Sequence, residues 1–137
     1  MQEIIEKQPN FLAHYISPFH LPILAIGAAM ASVLTWASHA TFTTLPFDFD
    51  FTIYDKQLHV IAYFGLTGVI ILALKKPLTH KVKWQIAKAI FFFGLLEECT
   101  QHFVGRSANI LDLLADVVGI TLALIVICAL RKYIIKS

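Results

Sequence analysis

The chain has 137 residues, of which 58% are hydrophobic and 15% charged. Its mean hydropathy of +0.72 excludes an ordinary soluble domain, which needs far more polar surface at this size. The formal net charge of +2 says little alone, because the placement of the charges carries the information.

Residues 1–20 mix charge with Pro9, Pro18 and scattered apolar residues. They read as a short cytoplasmic or interfacial arm, helical at most over Ile4–Lys7. With acids and no basic region ahead of an apolar core, this start does not read as a cleavable signal peptide. The first span is expected over about 21–40, long enough for a bilayer core of about 30 Å. Gly27, Ala28, Ala29, Ala31 and Ser32 give it small residues suited to close helix contact, a packing signal and not a site. Residues 41–54 alternate Phe47, Phe49 and Phe51 with Asp48, Asp50 and Thr52, a period-two pattern that fits an extended aromatic loop at headgroup depth.

The second span is expected over about 55–74. Asp55, His59 and Tyr63 are spaced i, i+4, i+8 and share one helical face, with Lys56 beside them. Asp55 alone reads as a helix cap, and His59 alone as a satisfied core histidine. Residues 75–83, KKPLTHKVK, read as a basic cytoplasmic loop with no nucleic-acid role. The third span is expected over about 84–103 and the fourth over about 109–130. Cys99 and Cys128 then fall near opposite membrane faces, so no disulfide is expected.

The expected fold is therefore all-α: a polytopic membrane protein with a bundle of four transmembrane helices in a single domain, 1–137. Four spans place both termini and the 75–83 loop on one side. That side collects Lys7, Lys75, Lys76, Lys81, Lys83, Lys88, Arg131, Lys132 and Lys136, against Lys56 and Arg106 on the other. The positive-inside rule puts the first group in the cytoplasm. Asp55, Lys56 and His59 then share a depth with Glu97, Glu98 and Gln101 and with Asn109, Asp112 and Asp116, all near the non-cytoplasmic face.

At these residues the chain resembles the VanZ-like family of small bacterial membrane proteins. The resemblance rests on Asp55-Lys56-x-x-His59-x-x-x-Tyr63-Phe64, Glu98-x-x-Gln101, Gly105-Arg106-Ser107 and Asp112-x-x-x-Asp116-x-x-Gly119, spread over residues 55–119. This chain has Val104 where members often carry a proline, and Asp116 where many carry Asn. The resemblance implies a multi-pass protein of the bacterial cytoplasmic membrane and a cell-envelope setting. The family is named for a protein associated with resistance to the glycopeptide teicoplanin. A reaction is not among the things it implies.

Asp55, Glu97, Glu98, Asp112 and Asp116 stand against Lys56 and Arg106, with His59 and His102 as further candidates for positive charge. Carboxylates near hydrocarbon must pair, take up protons, face water or meet a cation. Glu97 and Glu98 point about 100° apart on a helix, so one of them is expected to face the bundle. Glu98 is favoured because Gln101 follows on its side. The reading without function is a helix clamp, in which each interhelical bond contributes about 1 kcal/mol. Asn109 and Asp112 also have the spacing of a helix cap and its third-position partner.

Three functions fit. The first is a site for an amphiphile from the outer leaflet, a lipid or lipid-linked phosphate, formed by Asp55, Lys56, His59, Tyr63, Glu98, Gln101, Arg106, Asp112 and Asp116. Arg106, Lys56 and the start of the fourth span would contact phosphate. The second is a membrane-embedded hydrolase or transferase using His59 and the carboxylates. Without a motif such as HExxH no metal is assigned, and no cofactor is identified. The third is an accessory subunit docking a membrane-protein partner. His59 is expected to contact a carboxylate of the third or fourth span, and Arg106 to hold Glu98 or Asp112 in an internal ion pair.

Overall fold

The computed structural model describes residues 20–39, 51–74, 78–105 and 107–136; of 51–54 and 134–136 the backbone alone is described. Four long helices account for nearly all of it: α1 (Leu21–His39), α2 (Phe51–Ala73), α3 (His80–Gln101) and α4 (Ile110–Lys136), with a 3-10 turn at His102–Val104. No strand occurs among the described residues. The expected arm at 1–19 and most of the aromatic loop, 40–50, lie outside the described residues.

The helix limits correct several expected bounds. α2 begins at Phe51, one turn earlier than expected, so the last residues of the supposed extended loop are helical. α3 begins at His80, inside the supposed basic loop, because the Thr79 hydroxyl caps it by accepting the Val82 N–H at 3.3 Å. Such a cap satisfies one of the free N–H groups of the first turn. α3 ends at Gln101, and the chain turns through the 3-10 segment to Gly105, whose φ of 77° lies in the left-handed region that favours glycine.

α1, the Asp55–Ala73 part of α2 and the Ile110–Tyr133 part of α4 are each long and apolar enough to cross a membrane. The outer surface agrees: Ile26, Val33, Trp36, Ile61, Leu72, Phe92, Leu96, Leu114, Ile125 and Leu130 are all exposed. An exterior this apolar suits lipid and not water. These features mark a membrane protein.

α2 and α4 form the most extensive helix pair. They run parallel, since Val60 and Tyr63 lie beside Gly119, Gly68 beside Ile127, and Ile71 beside Arg131. Gly119 permits this approach: a Cβ there would lie 2.5 Å from the Val60 carbonyl oxygen. α3 runs the other way against both, and Tyr63, Leu66, Ile71, Val82, Ile86, Ile90 and Ile120 close the core between the three helices. α1 packs on α2 through Gly27, Met30, Ala31 and Leu34. Of the small residues expected to form its contact face, Gly27 is buried while Ala28, Ala29 and Ser32 are exposed.

Arg131 was expected only to mark the cytoplasmic side. It is instead buried, and its guanidinium donates to the carbonyls of Ile71, at 2.6 Å, and Leu74. These lie at the C-terminal end of α2, where carbonyls lack their usual helical partners, although Ile71 also accepts the Leu74 N–H at 3.4 Å. One side chain of α4 therefore caps the end of α2.

Candidate functional site

Helical spacing puts Asp55, His59 and Tyr63 on one face of α2, and the packing turns that face toward α4 and α3. His59 Nδ1–H donates to Asp116 Oδ1 at 2.7 Å, and Asp116 is 1% exposed. This is the expected contact between His59 and a carboxylate. Tyr63 is buried; its hydroxyl donates to Glu97 Oε2 at 3.4 Å. Its ring stacks at 6.3 Å from that of His59 and is flanked by Phe93 on the other side. Gly94 of α3 makes room for this group, since a Cβ there would lie 2.8 Å from Asp116 Oδ2 and 3.0 Å from the Tyr63 hydroxyl.

One helical turn toward the chain turn, Lys56 Nζ stands 3.3 Å from Asp112 Oδ1, with the lysine side chain 41% exposed. The ligand-capable atoms of Asp55, His59 and Asp112 all lie within 4.8 Å of one another. The first turn of α4 explains how Asp112 comes to face them. Asn109 caps the helix as expected, its Oδ1 accepting the Leu111 N–H at 3.0 Å. The Asn109 N–H is not taken by Asp112, the third-position residue, as a capping box would have it. Glu98 of α3 accepts it at 2.9 Å, which leaves the Asp112 carboxylate to face α2.

Glu97 and Glu98 are both buried, which corrects the expectation that only one faces the bundle. α3 lies against α1, α2 and α4 at once, so its buried arc is wide enough for two neighbouring residues. Glu98 turns to α4, while Glu97 turns to Tyr63 and to Thr35 and His39 of α1. α1 therefore reaches the cluster, though its sequence read as packing alone. His39 Nε2 lies 2.9 Å from the Thr100 hydroxyl and its Nδ1 2.8 Å from the Thr35 carbonyl. The i, i+4 pairing of Thr35 with His39 at the end of an apolar span was the available signal. Gln101 is buried beside this group.

Arg106, the expected pivot, lies outside the described residues. Among the described residues, Glu98 accepts the Asn109 N–H and Asp112 lies beside Lys56. The cluster is rich in acceptors. Glu97 Oε1, Glu98 Oε1, Asp112 Oδ1 and Asp116 Oδ2 are buried and, among the described residues, accept no hydrogen bond; for Asp112 Oδ1, Lys56 supplies proximity without an aligned bond. Buried acceptors left this way are costly and uncommon.

Along the α3–α4 seam an apolar groove of about 500 Å³ is lined by Trp84, Ala87, Phe91, Ile120 and Leu124, with Lys83 and Lys88 at its edge. It runs from Phe91 and Val117 toward His80.

Compared with known proteins, the chain matches no family model, no curated protein and no solved structure.

Proposed function

We propose that this chain is a VanZ-like protein of the bacterial cytoplasmic membrane that binds an amphiphile, a lipid or lipid-linked phosphate, at the ends of α2, α3 and α4. In this reading all four helices span the membrane, both termini are cytoplasmic, and the polar cluster lies near the non-cytoplasmic face. α3 is less apolar than the other three: Lys81, Lys83 and Lys88 lie in its first nine residues and Glu97 and Glu98 in its last five, on either side of the uncharged residues 89–96. Glu97 and Glu98 are turned into protein and away from lipid. Its 22 residues extend about 33 Å, which suits a bilayer core of about 30 Å.

The observation that carries the reading is that α3 and α4 hold both halves of an amphiphile's needs. They bury a cluster of polar side chains and, along their seam, line an apolar groove of the volume typical of ligand sites. A helix clamp needs the polar part only, and a protein-docking face needs neither a groove nor buried acids. An amphiphile needs both, with its headgroup among Lys56, His59 and the start of α4, and its chain along Phe91, Ala87 and Leu124.

The test is retention of a polyprenyl phosphate by the full-length chain purified in detergent, read by native mass spectrometry. The parent chain retains it, and Ala87→Phe, which fills the groove, releases it while the protein stays monodisperse. Arg106→Lys is expected to weaken retention nearly as much as Arg106→Ala, because lysine lacks the planar fork that grips phosphate. Equal retention by the parent and Ala87→Phe overturns the reading. Through the family resemblance, the reading also extends to teicoplanin: expression in a susceptible bacterium is expected to raise the inhibitory concentration.

A further inference from the structure

The polar cluster holds an imbalance that a phosphate headgroup would worsen. Glu97, Glu98, Asp112 and Asp116 are buried, with Asp55 half-buried next to them. Among the described residues, the cationic groups seen to pair with these acids are Lys56 and, when protonated, His59. Four carboxylate oxygens are left without a hydrogen bond among the described residues. An anion added to such a site is repelled unless a further positive charge comes with it.

We propose that Asp55, His59 and Asp112 bind a divalent transition-metal cation, with Asp116 fixing the histidine ring from behind. The three side chains offer one nitrogen and two carboxylate groups with all ligand atoms within 4.8 Å of one another. Tetrahedral ligands about 2.0–2.2 Å from a metal stand roughly 3.3–3.6 Å from one another. Side-chain movements of about an ångström therefore close the site.

Two further observations point to an ion. His59 Nδ1–H is held by Asp116 Oδ1 at 2.7 Å, and Asp116 is almost wholly buried. A metal-ligating histidine almost always gives its other ring N–H to a carboxylate or carbonyl in this way, which fixes the tautomer. Here that contact leaves Nε2 as the coordinating nitrogen. Second, the Asp112 side chain is more than nine-tenths buried and accepts no hydrogen bond through Oδ1, although it lies among the three ligand groups. The lysine ammonium 3.3 Å away stands where positive charge is wanted, on a side chain exposed enough to swing out. Lys56 is then a competitor for the ion and not its partner.

The donor set names the class of ion. One imidazole with carboxylates suits Mn²⁺, Zn²⁺ or Co²⁺ better than Ca²⁺ or Mg²⁺, which prefer oxygen alone. The ion stands on the geometry of these residues. Its use, as the anchor for the phosphate of an amphiphile, rests on the function proposed above.

The full-length chain in detergent is titrated with Mn²⁺ and the free ion is followed by electron paramagnetic resonance, first with no added lipid. We expect one ion per chain. Asp55→Asn and Asp112→Asn remove ligands and are expected to lower the affinity by at least about tenfold. Asp116→Asn, acting through His59, should lower it by about ten- to a hundredfold. Asp55→Asn is the safeguard against misfolding, because Asp55 is half-buried and circular dichroism is expected to match the parent. Lys56→Gln is expected to tighten binding about fivefold, the worth of a half-exposed ion pair. A purely structural Lys56 would not move the affinity. No stoichiometric ion on the parent chain, or affinity unchanged in both Asp55→Asn and Asp112→Asn, overturns the site. A second arm measures polyprenyl phosphate retention with and without Mn²⁺. Ion binding without lipid retention keeps the metal site and overturns the amphiphile reading. Lipid retention that ignores Mn²⁺ keeps the amphiphile reading and overturns the anchoring role.

Discussion

At the far end of α2, Arg131 donates to the carbonyls of Ile71 and Leu74, so one cation answers the acceptors of a helix end. At the near end, Lys56 and His59 face a group of buried acids, four of whose oxygens lack donors among the described residues. Both ends bury charge between the same two helices. The first is matched and needs nothing more to be stable. The second carries more acceptors than its own helices satisfy, which is the pattern expected of a site completed by something bound. Buried polarity in a membrane bundle therefore divides by its balance of donors and acceptors and not by its amount.

The comparison is sharpened first at the matched end. Arg131→Ala removes both bonds from the guanidinium to the end of α2, and bonds of this charge-assisted kind contribute about 1.5–3 kcal/mol each. The expected loss is about 3 kcal/mol, measured by unfolding in detergent, with Arg131→Lys recovering part of it. An alanine variant that unfolds like the parent would mean that this end is no clamp.

Between the two ends, Gly119→Ala would drive a methyl group to 2.5 Å from the Val60 carbonyl oxygen. Overpacking of this kind costs about 1–3 kcal/mol. The same unfolding assay reports it.

At the acceptor-rich end the isosteric changes are expected to cost little. Glu98→Gln keeps an oxygen for the Asn109 N–H, and Asp116→Asn keeps one for His59. Stability should stay within about 1 kcal/mol, the usual worth of one interhelical bond, while Asp116→Asn, which loosens the hold on His59, lowers retention of polyprenyl phosphate. Costs equal to that of Arg131→Ala would make this end a second clamp and remove the contrast.

The smallest effect belongs to Lys56→Gln. Its side chain is 41% exposed, and a pair this open contributes at most about 1 kcal/mol. A larger loss of stability would show that Lys56 is part of the frame.

Much of the near end was legible because helical period reports which residues share a face. Asp55, His59 and Tyr63 fall at i, i+4, i+8 on α2, and Asp112 and Asp116 at i, i+4 on α4, so their meeting required only that the two faces be turned together. Glu97 was set aside by the same rule, since a single neighbour buries a narrow arc. Arg131 was hidden by its place in a run of basic residues after an apolar span, where snorkelling is the ordinary behaviour.

Composition and hydropathy alone determined that this is an all-helical membrane protein, because apolar runs of this length have no other stable solution in lipid. Periodicity likewise determined which polar residues travel together on each helix. Which faces are buried, and against what, was decided only in the folded chain. Gly119 and Gly94 let backbones and polar groups approach where side chains would have kept them apart. α3 lies against three helices and so buries both Glu97 and Glu98, and the parallel register of α2 and α4 carries Arg131 to the end of α2. These outcomes depend on distances between segments far apart in sequence, and a local pattern does not encode such distances.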